Sequence, residues 1–181
     1  MMRGTMGLVP AVVDAVAPIP VVAAGGIADG RGLAAALALG AAGVLMGTRF
    51  TASREALWDQ AMKAATLAAG GDQTEQTRVF DIVRGAPWPA IYPGRALRNA
   101  FSARWNGRED ALAVDQKRQE EAYLAAAPDD FATRVVWAGE GVDLVKDMPA
   151  ASEIIERIIA QAASTLTQGA RLVRGAEPCS A

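Results

Sequence analysis

The chain has 181 residues, 18 Lys plus Arg against 20 Asp plus Glu, no histidine, and one cysteine, Cys179. Without histidine, neither a Cys/His zinc site nor Ser-His-Asp or Cys-His catalysis can be assembled from one copy, and one cysteine rules out a disulfide scaffold within the chain. A net charge of −2 argues against a nucleic-acid surface, low cysteine use fits a reducing cytoplasm, and a hydrophobic content of 51% is enough for a real core.

Residues 7–19 are expected to form a short helix, with Leu8, Val12 and Val16 recurring at one-turn spacing and Pro18 and Pro20 ending it. The run after Arg3 imitates a signal peptide weakly, but Pro10 and Asp14 interrupt it. Next comes PVVAAGG, a wholly apolar run closed by Gly25 and Gly26, the pattern of a strand covered on both faces. Asp29 and Gly30 read as turn and helix-start residues, and 31–39 as a helix with Gly40 as its C-terminal cap. A second apolar strand follows in GVLMGTRF, again closed by a glycine, Gly47. The stretch 33–46 is shorter than the roughly 20 residues of a membrane span and is broken by Gly40 and Gly43.

The middle differs in composition. Ser53 is expected to cap a helix from 54 to about 69, with Trp58, Ala61, Met62 and Ala65 on one face. PWPAIYPG, residues 87–94, is too rich in proline for regular structure. Residues 95–105 and 110–126 read as helices, the second largely solvated. VVWAGEGVDLV, residues 135–145, gives two short apolar runs around a glycine loop. Asp147 and Pro149 announce a helix over about 150–165, striped with Ile154, Ile155, Ile158, Ile159 and Ala162, and the last dozen residues look frayed.

The two glycine-ended strands carry the chemistry. A right-handed parallel unit places Gly25-Gly26 and Gly47-Thr48 at the same C-terminal sheet edge, where open α/β folds and barrels bind ligands. Glycines there present bare backbone N–H groups, the helix after the first pair adds a favourable dipole, and Thr48 adds a hydroxyl. The constellation reads as a phosphate cradle of two adjacent loops; tight turns and close packing would use the same glycines.

LVPAVVDAVAPIPVVAAGGIADGRGLAAALALGAAGVLMGTRF resembles the nitronate monooxygenase family, formerly 2-nitropropane dioxygenases, which is related to the FMN-dependent enoyl-[acyl-carrier-protein] reductases. The likeness continues in TRVFDIVRGAPWPAIYPGRALRNAF and VVWAGEGVDLV, and covers residues 7 to about 165. It implies an α/β flavoprotein, the C-terminal part (last two strands) of an FMN-binding TIM barrel with an inserted, mainly helical substrate domain. FMN-contacting positions would be Ala24, Gly25, Gly26 and Ile27 in the first loop, and Gly47 and Thr48 in the second. Residues 1–59 would be barrel strands and helices, 60–134 the inserted domain, 135–166 the return segment and final helix, and 167–181 a disordered tail. The implied activity is oxidation of alkyl nitronates with O2. An NAD(P)H-dependent enoyl reductase of the same fold and a non-catalytic remnant are the alternatives.

The family's catalytic histidine belongs just upstream of Arg3 and has no counterpart in a chain without histidine. The chain is therefore expected to be part of a longer enzyme, inactive alone, self-associating through exposed barrel edges and binding FMN weakly or not at all. Trp88 and Tyr92 are substrate-cleft candidates, with wedging of the inserted domain as the alternative. Arg49 could reach the phosphate but favours an ion pair, and Asp29 favours a helix cap. Arg95, Arg98 and Asn99 share one expected helix, Trp137 is expected to pack, and nothing near Cys179 would activate it. Neither metal, nucleic acid nor membrane is expected as a partner.

Overall fold

The computed structural model describes residues 3–175, so Cys179 lies outside the described residues. The protein is mixed α/β and mostly helical, with two small sheets. It divides into two units, Met1–Ala56 with Leu144–Ala181, and Leu57–Asp143.

The first unit begins with α1 (Thr5–Val16), which runs through Pro10 and buries Val9. Strand β1 (Val22–Ala24), helix α2 (Gly30–Ala38) and strand β2 (Gly43–Leu45) follow. The strands pair in parallel, Val22 opposite Gly43 and Ala24 opposite Leu45. Alternation sets their faces: Ala23 is buried with Val9, Ala36 and Ala41, whereas Val22 (59% exposed) and Leu45 (68%) point the other way. That second face is uncovered, against the sequence expectation of strands buried on both sides. A one-turn helix, α3 (Thr48–Thr51), closes this part of the chain.

The second unit starts with α4 (Gln60–Ala68). The expected helix from residue 54 starts six positions late because Asp59 caps it, accepting from the Met62 N–H at 2.7 Å, while the Ser53 hydroxyl takes the Ala56 N–H at 3.2 Å in a local turn. Strand β3 (Thr74–Thr77), helix α5 (Val79–Val83) and strand β4 (Gly94–Leu97) come next. β3 and β4 pair antiparallel, and Ala96 also bridges to Trp137. The expected helix over 95–105 is thus half strand: Arg95 donates to the Thr74 hydroxyl at 3.1 Å and pairs with Glu140 at 2.6 Å. Only α6 (Ala100–Trp105) is helical there, and Asn99 caps it, accepting from the Ser102 N–H at 2.8 Å. The expected single helix over 110–126 is two, α7 (Glu109–Val114) and α8 (Gln116–Ala125), broken at Asp115, whose carboxylate binds Arg118 and Gln119.

The core of this unit is Val79, Phe80, Val83, Ala96, Trp105, Leu112 and Tyr123. Phe80 stacks on Phe101 with centroids 6.0 Å apart and meets the edge of Trp137 at 6.1 Å. Trp137 is a packing residue. Residues 135–143, expected with the return segment, belong to this unit.

Back in the first unit, α9 (Ala151–Arg174) lies against α2 and buries Ile154, Ile158 and Ala162. Residues 167–174, expected in a disordered tail, are the last turns of this helix. No helix among the described residues is long and apolar enough to cross a membrane.

Candidate functional site

Because Ala24 pairs with Leu45, the loops that leave β1 and β2 emerge side by side at one sheet edge, one strand spacing of about 4.8 Å apart. Gly25 and Gly26 have φ of +104° and +71°, a conformation that L side chains resist. A Cβ on Gly26 or Gly47 would meet nothing within 4 Å, so both loops leave open space above their backbones. Ala24, Gly25, Gly26 and Gly47 are exposed, while Ile27 and Thr48 are half-buried, Ile27 packing on the small core of the unit. The structure therefore brings together all six residues assigned to the loops.

The start of α2 behaves differently from the expectation. Asp29 caps it, accepting from the N–H groups of Arg31 at 2.9 Å and Gly32 at 3.3 Å. The Gly30 N–H donates to Gln161 Oε1 at 2.7 Å. These donors already have acceptors, and one of them is a carboxylate. The α2 N-terminus is thus a filled cap and contributes no open anion site; only the two glycine loops remain for that role. Partial burial raises the Asp29 carboxyl, but the hydrogen bond from Arg31 and those from the Gly32 and Arg31 backbone outweigh it and hold the pKa below the ordinary value.

Arg49 is buried and turned to Asp147, donating to its backbone carbonyl at 3.1 Å and its Oδ1 at 2.7 Å. Arg157 takes the other Asp147 oxygen at 2.5 Å. Burial raises the Asp147 carboxyl, yet the bond from Arg157 and the charge and bond of Arg49 leave its pKa lowered. A carboxylate of this kind stabilises the fold at pH values above its unfolded pKa of about 3.9, and that contribution is lost as pH falls through the lower folded value. Thermal melting of the first unit, followed by far-UV circular dichroism, should change little with this group down to about pH 4 and fall below it. Asp147→Asn should remove part of that acid-side decline; an unchanged pH profile would refute the role given to this carboxylate.

One contributor carries no sequence signal. The Thr5 hydroxyl, at the start of α1, donates to the Gly25 carbonyl at 2.9 Å and fixes the first loop from outside the strand–helix–strand unit. Trp88 and Tyr92 lie together on an exposed turn of the second unit, where the Trp88 indole donates to the Tyr92 carbonyl at 2.7 Å. Both are too exposed to wedge that unit together. Arg98 sits 3.6 Å from Glu75 and, like Arg95, has a structural partner. No cluster of three or more His, Cys, Asp or Glu suited to a metal is found among the described residues.

Comparison with known proteins gives this geometry a family. The nitronate monooxygenase family model matches residues 1–161. Nitronate monooxygenase npaC of Metarhizium robertsii is 37% identical over 174 residues, covering 91% of this chain and 48% of that protein. The (3aS,4S,5R,7aS)-5-hydroxy-7a-methyl-1-oxo-octahydro-1H-indene-4-carboxyl-CoA dehydrogenase of Rhodococcus jostii is 36% identical over 190 residues, covering 86% and 53%. Among solved structures, FabK from Thermotoga maritima matches with a TM-score of 0.76 at 31% identity, over 94% of this chain and 52% of that one. Nitroalkane oxidase from Streptomyces ansochromogenes matches with a TM-score of 0.72 at 29% identity, covering 91% and 45%. The chain spans about half the length of the curated relatives it matches. The curated relatives are named as a monooxygenase and a dehydrogenase, both oxidoreductases. The chain itself belongs to the nitronate monooxygenase family.

Proposed function

We propose that this chain supplies the FMN-phosphate loops of a flavin-dependent oxidoreductase that oxidises alkyl nitronates with O2. The observation that carries the reading is the pair of parallel strands in register, each ending in exposed glycine with open space above it. Such a cradle suits a phosphate, since main-chain N–H groups can approach an anion that a Cβ would hold away. Ala24, Gly25, Gly26 and Ile27 would form one side of it, Gly47 and Thr48 the other. FMN, when bound, supplies the electron-transfer chemistry of the reaction. The chain's own share is binding and orientation. Arg49 stays with Asp147 and holds the second loop against the start of α9, leaving phosphate recognition to the backbone. With no histidine, we assign no residue here to proton transfer at the substrate carbon, and the chain alone is expected to show no nitronate turnover. Trp88 and Tyr92 remain substrate-cleft candidates through their exposed aromatic faces.

In this reading β1 and β2 are the last two strands of a TIM barrel, the second unit is an inserted substrate domain, and the enzyme works in the cytoplasm on a small-molecule substrate. The uncovered face bearing Val22 and Leu45 is then a barrel surface, and the chain studied alone should self-associate through it. Sedimentation velocity should show oligomers that Leu45→Lys shifts towards monomer; a monomeric parent chain would contradict the barrel assignment.

The match to FabK favours a second reading, an enoyl reductase that uses NAD(P)H. The two separate in one assay of the full reading frame that encodes this sequence. O2 uptake dependent on alkyl nitronate supports the first. NAD(P)H oxidation by an enoyl thioester, without nitronate turnover, replaces it with the second.

A further inference from the structure

The second unit contains a cavity of about 500 Å³, lined entirely by residues of that unit and separate from the glycine loops. Its volume lies within the roughly 300–1,000 Å³ of small-molecule sites. Trp58, Met62, Val83 and Trp137 give it apolar and aromatic walls. Tyr123 is a fixed part of the lining. Its ring meets Phe101 edge-on at 5.7 Å, the Arg134 guanidinium lies 5.0 Å over it, and its hydroxyl accepts from the Val135 N–H at 3.1 Å.

The charges around the cavity sort by what they already bind. Asp59 is the cap of α4. Arg134 donates to the carbonyls of Leu124 at 3.0 Å and Ala126 at 2.8 Å. Arg84 is different: it is exposed, has no ion pair among the described residues, and acts on Asp81 only through space. Glu120 is the remaining charged lining group. A guanidinium beside indole walls suits a carboxylate attached to a flat apolar body, and a nearby carboxylate disfavours a second negative charge.

We propose that this cavity is a binding site for a flat, largely apolar organic monocarboxylate, with Arg84 taking the carboxylate and Trp58 and Trp137 the ring system. The assignment is independent of the FMN reading, since no residue is shared between the two sites.

The test is isothermal titration calorimetry of the full chain with 2-naphthoate, and with 2-naphthylmethylamine as the cationic counterpart. The acid should bind saturably and more tightly than the amine. Arg84→Gln should weaken it by about fivefold, and Glu120→Gln should tighten it by about twofold, the range of an exposed charge pair. Trp58→Leu should weaken both probes. Arg84 and Glu120 are not core residues, so their variants read the charge assignment even if Trp58→Leu melts early. Failure of the acid to saturate, equal binding of acid and amine, or an unchanged affinity in Arg84→Gln would overturn the proposal.

Discussion

Gly30→Ala is expected to destabilise the first unit by about 3 kcal/mol, the upper range of overpacking. A Cβ at this position would stand 2.4 Å from the Ile158 carbonyl oxygen, 2.6 Å from the Ala162 nitrogen and 2.6 Å from the Gln161 Cβ. Two of these are backbone atoms of α9, which cannot turn aside as a side chain could. The same shift would stretch the 2.7 Å bond from the Gly30 N–H to Gln161. Helix propensity alone predicts the opposite sign, since alanine is favoured over glycine by about 1 kcal/mol inside a helix. The direction of the change therefore decides between close packing and intrinsic preference. Urea unfolding followed by far-UV circular dichroism is the measurement, and a neutral or stabilising result would refute the α2–α9 contact.

Phe80→Ala should cost the second unit about 3–5 kcal/mol, as expected for deleting a large buried ring. Phe80 is fully buried and joins Phe101 to Trp137. Its loss opens a cavity beside Phe101 and Trp137 that rigid neighbours fill only in part. All the tryptophans, Trp58, Trp88, Trp105 and Trp137, belong to this unit, so tryptophan fluorescence follows its unfolding selectively. The urea midpoint by fluorescence should fall sharply; a shift equivalent to less than about 1 kcal/mol would show that the ring is not central to this core.

The glycine-ended strands were legible because PVVAAGG and GVLMG are short, apolar and free of polar alternation, and glycine ends each run. The pairing of Arg49 and the capping by Asp29 followed from the ordinary behaviour of those side chains. What escaped depended on partners distant in sequence or on competition between caps. β4 is a strand because β3 and Trp137 pair with it, which the sequence GRAL does not announce. α4 starts late because two candidate caps, Ser53 and Asp59, lie six residues apart and the second one wins. The division of the 110–126 pattern at Asp115 has no sequence signal, and neither has the contact of Thr5 with Gly25. At α2 the expected dipole offers no open anion site, because Asp29, the residue that starts the helix, already fills it.

The glycine loops lead directly to the decisive comparison, FMN against riboflavin, which differ only by the phosphate. Flavin fluorescence titrations of the chain should show FMN bound about tenfold more tightly than riboflavin, equivalent to about 1.4 kcal/mol, even where overall binding is weak. Gly26→Val with Gly47→Val should abolish that preference, and inorganic phosphate should compete with FMN. Equal affinity for the two flavins, or a preference that survives both valines, would contradict the phosphate cradle.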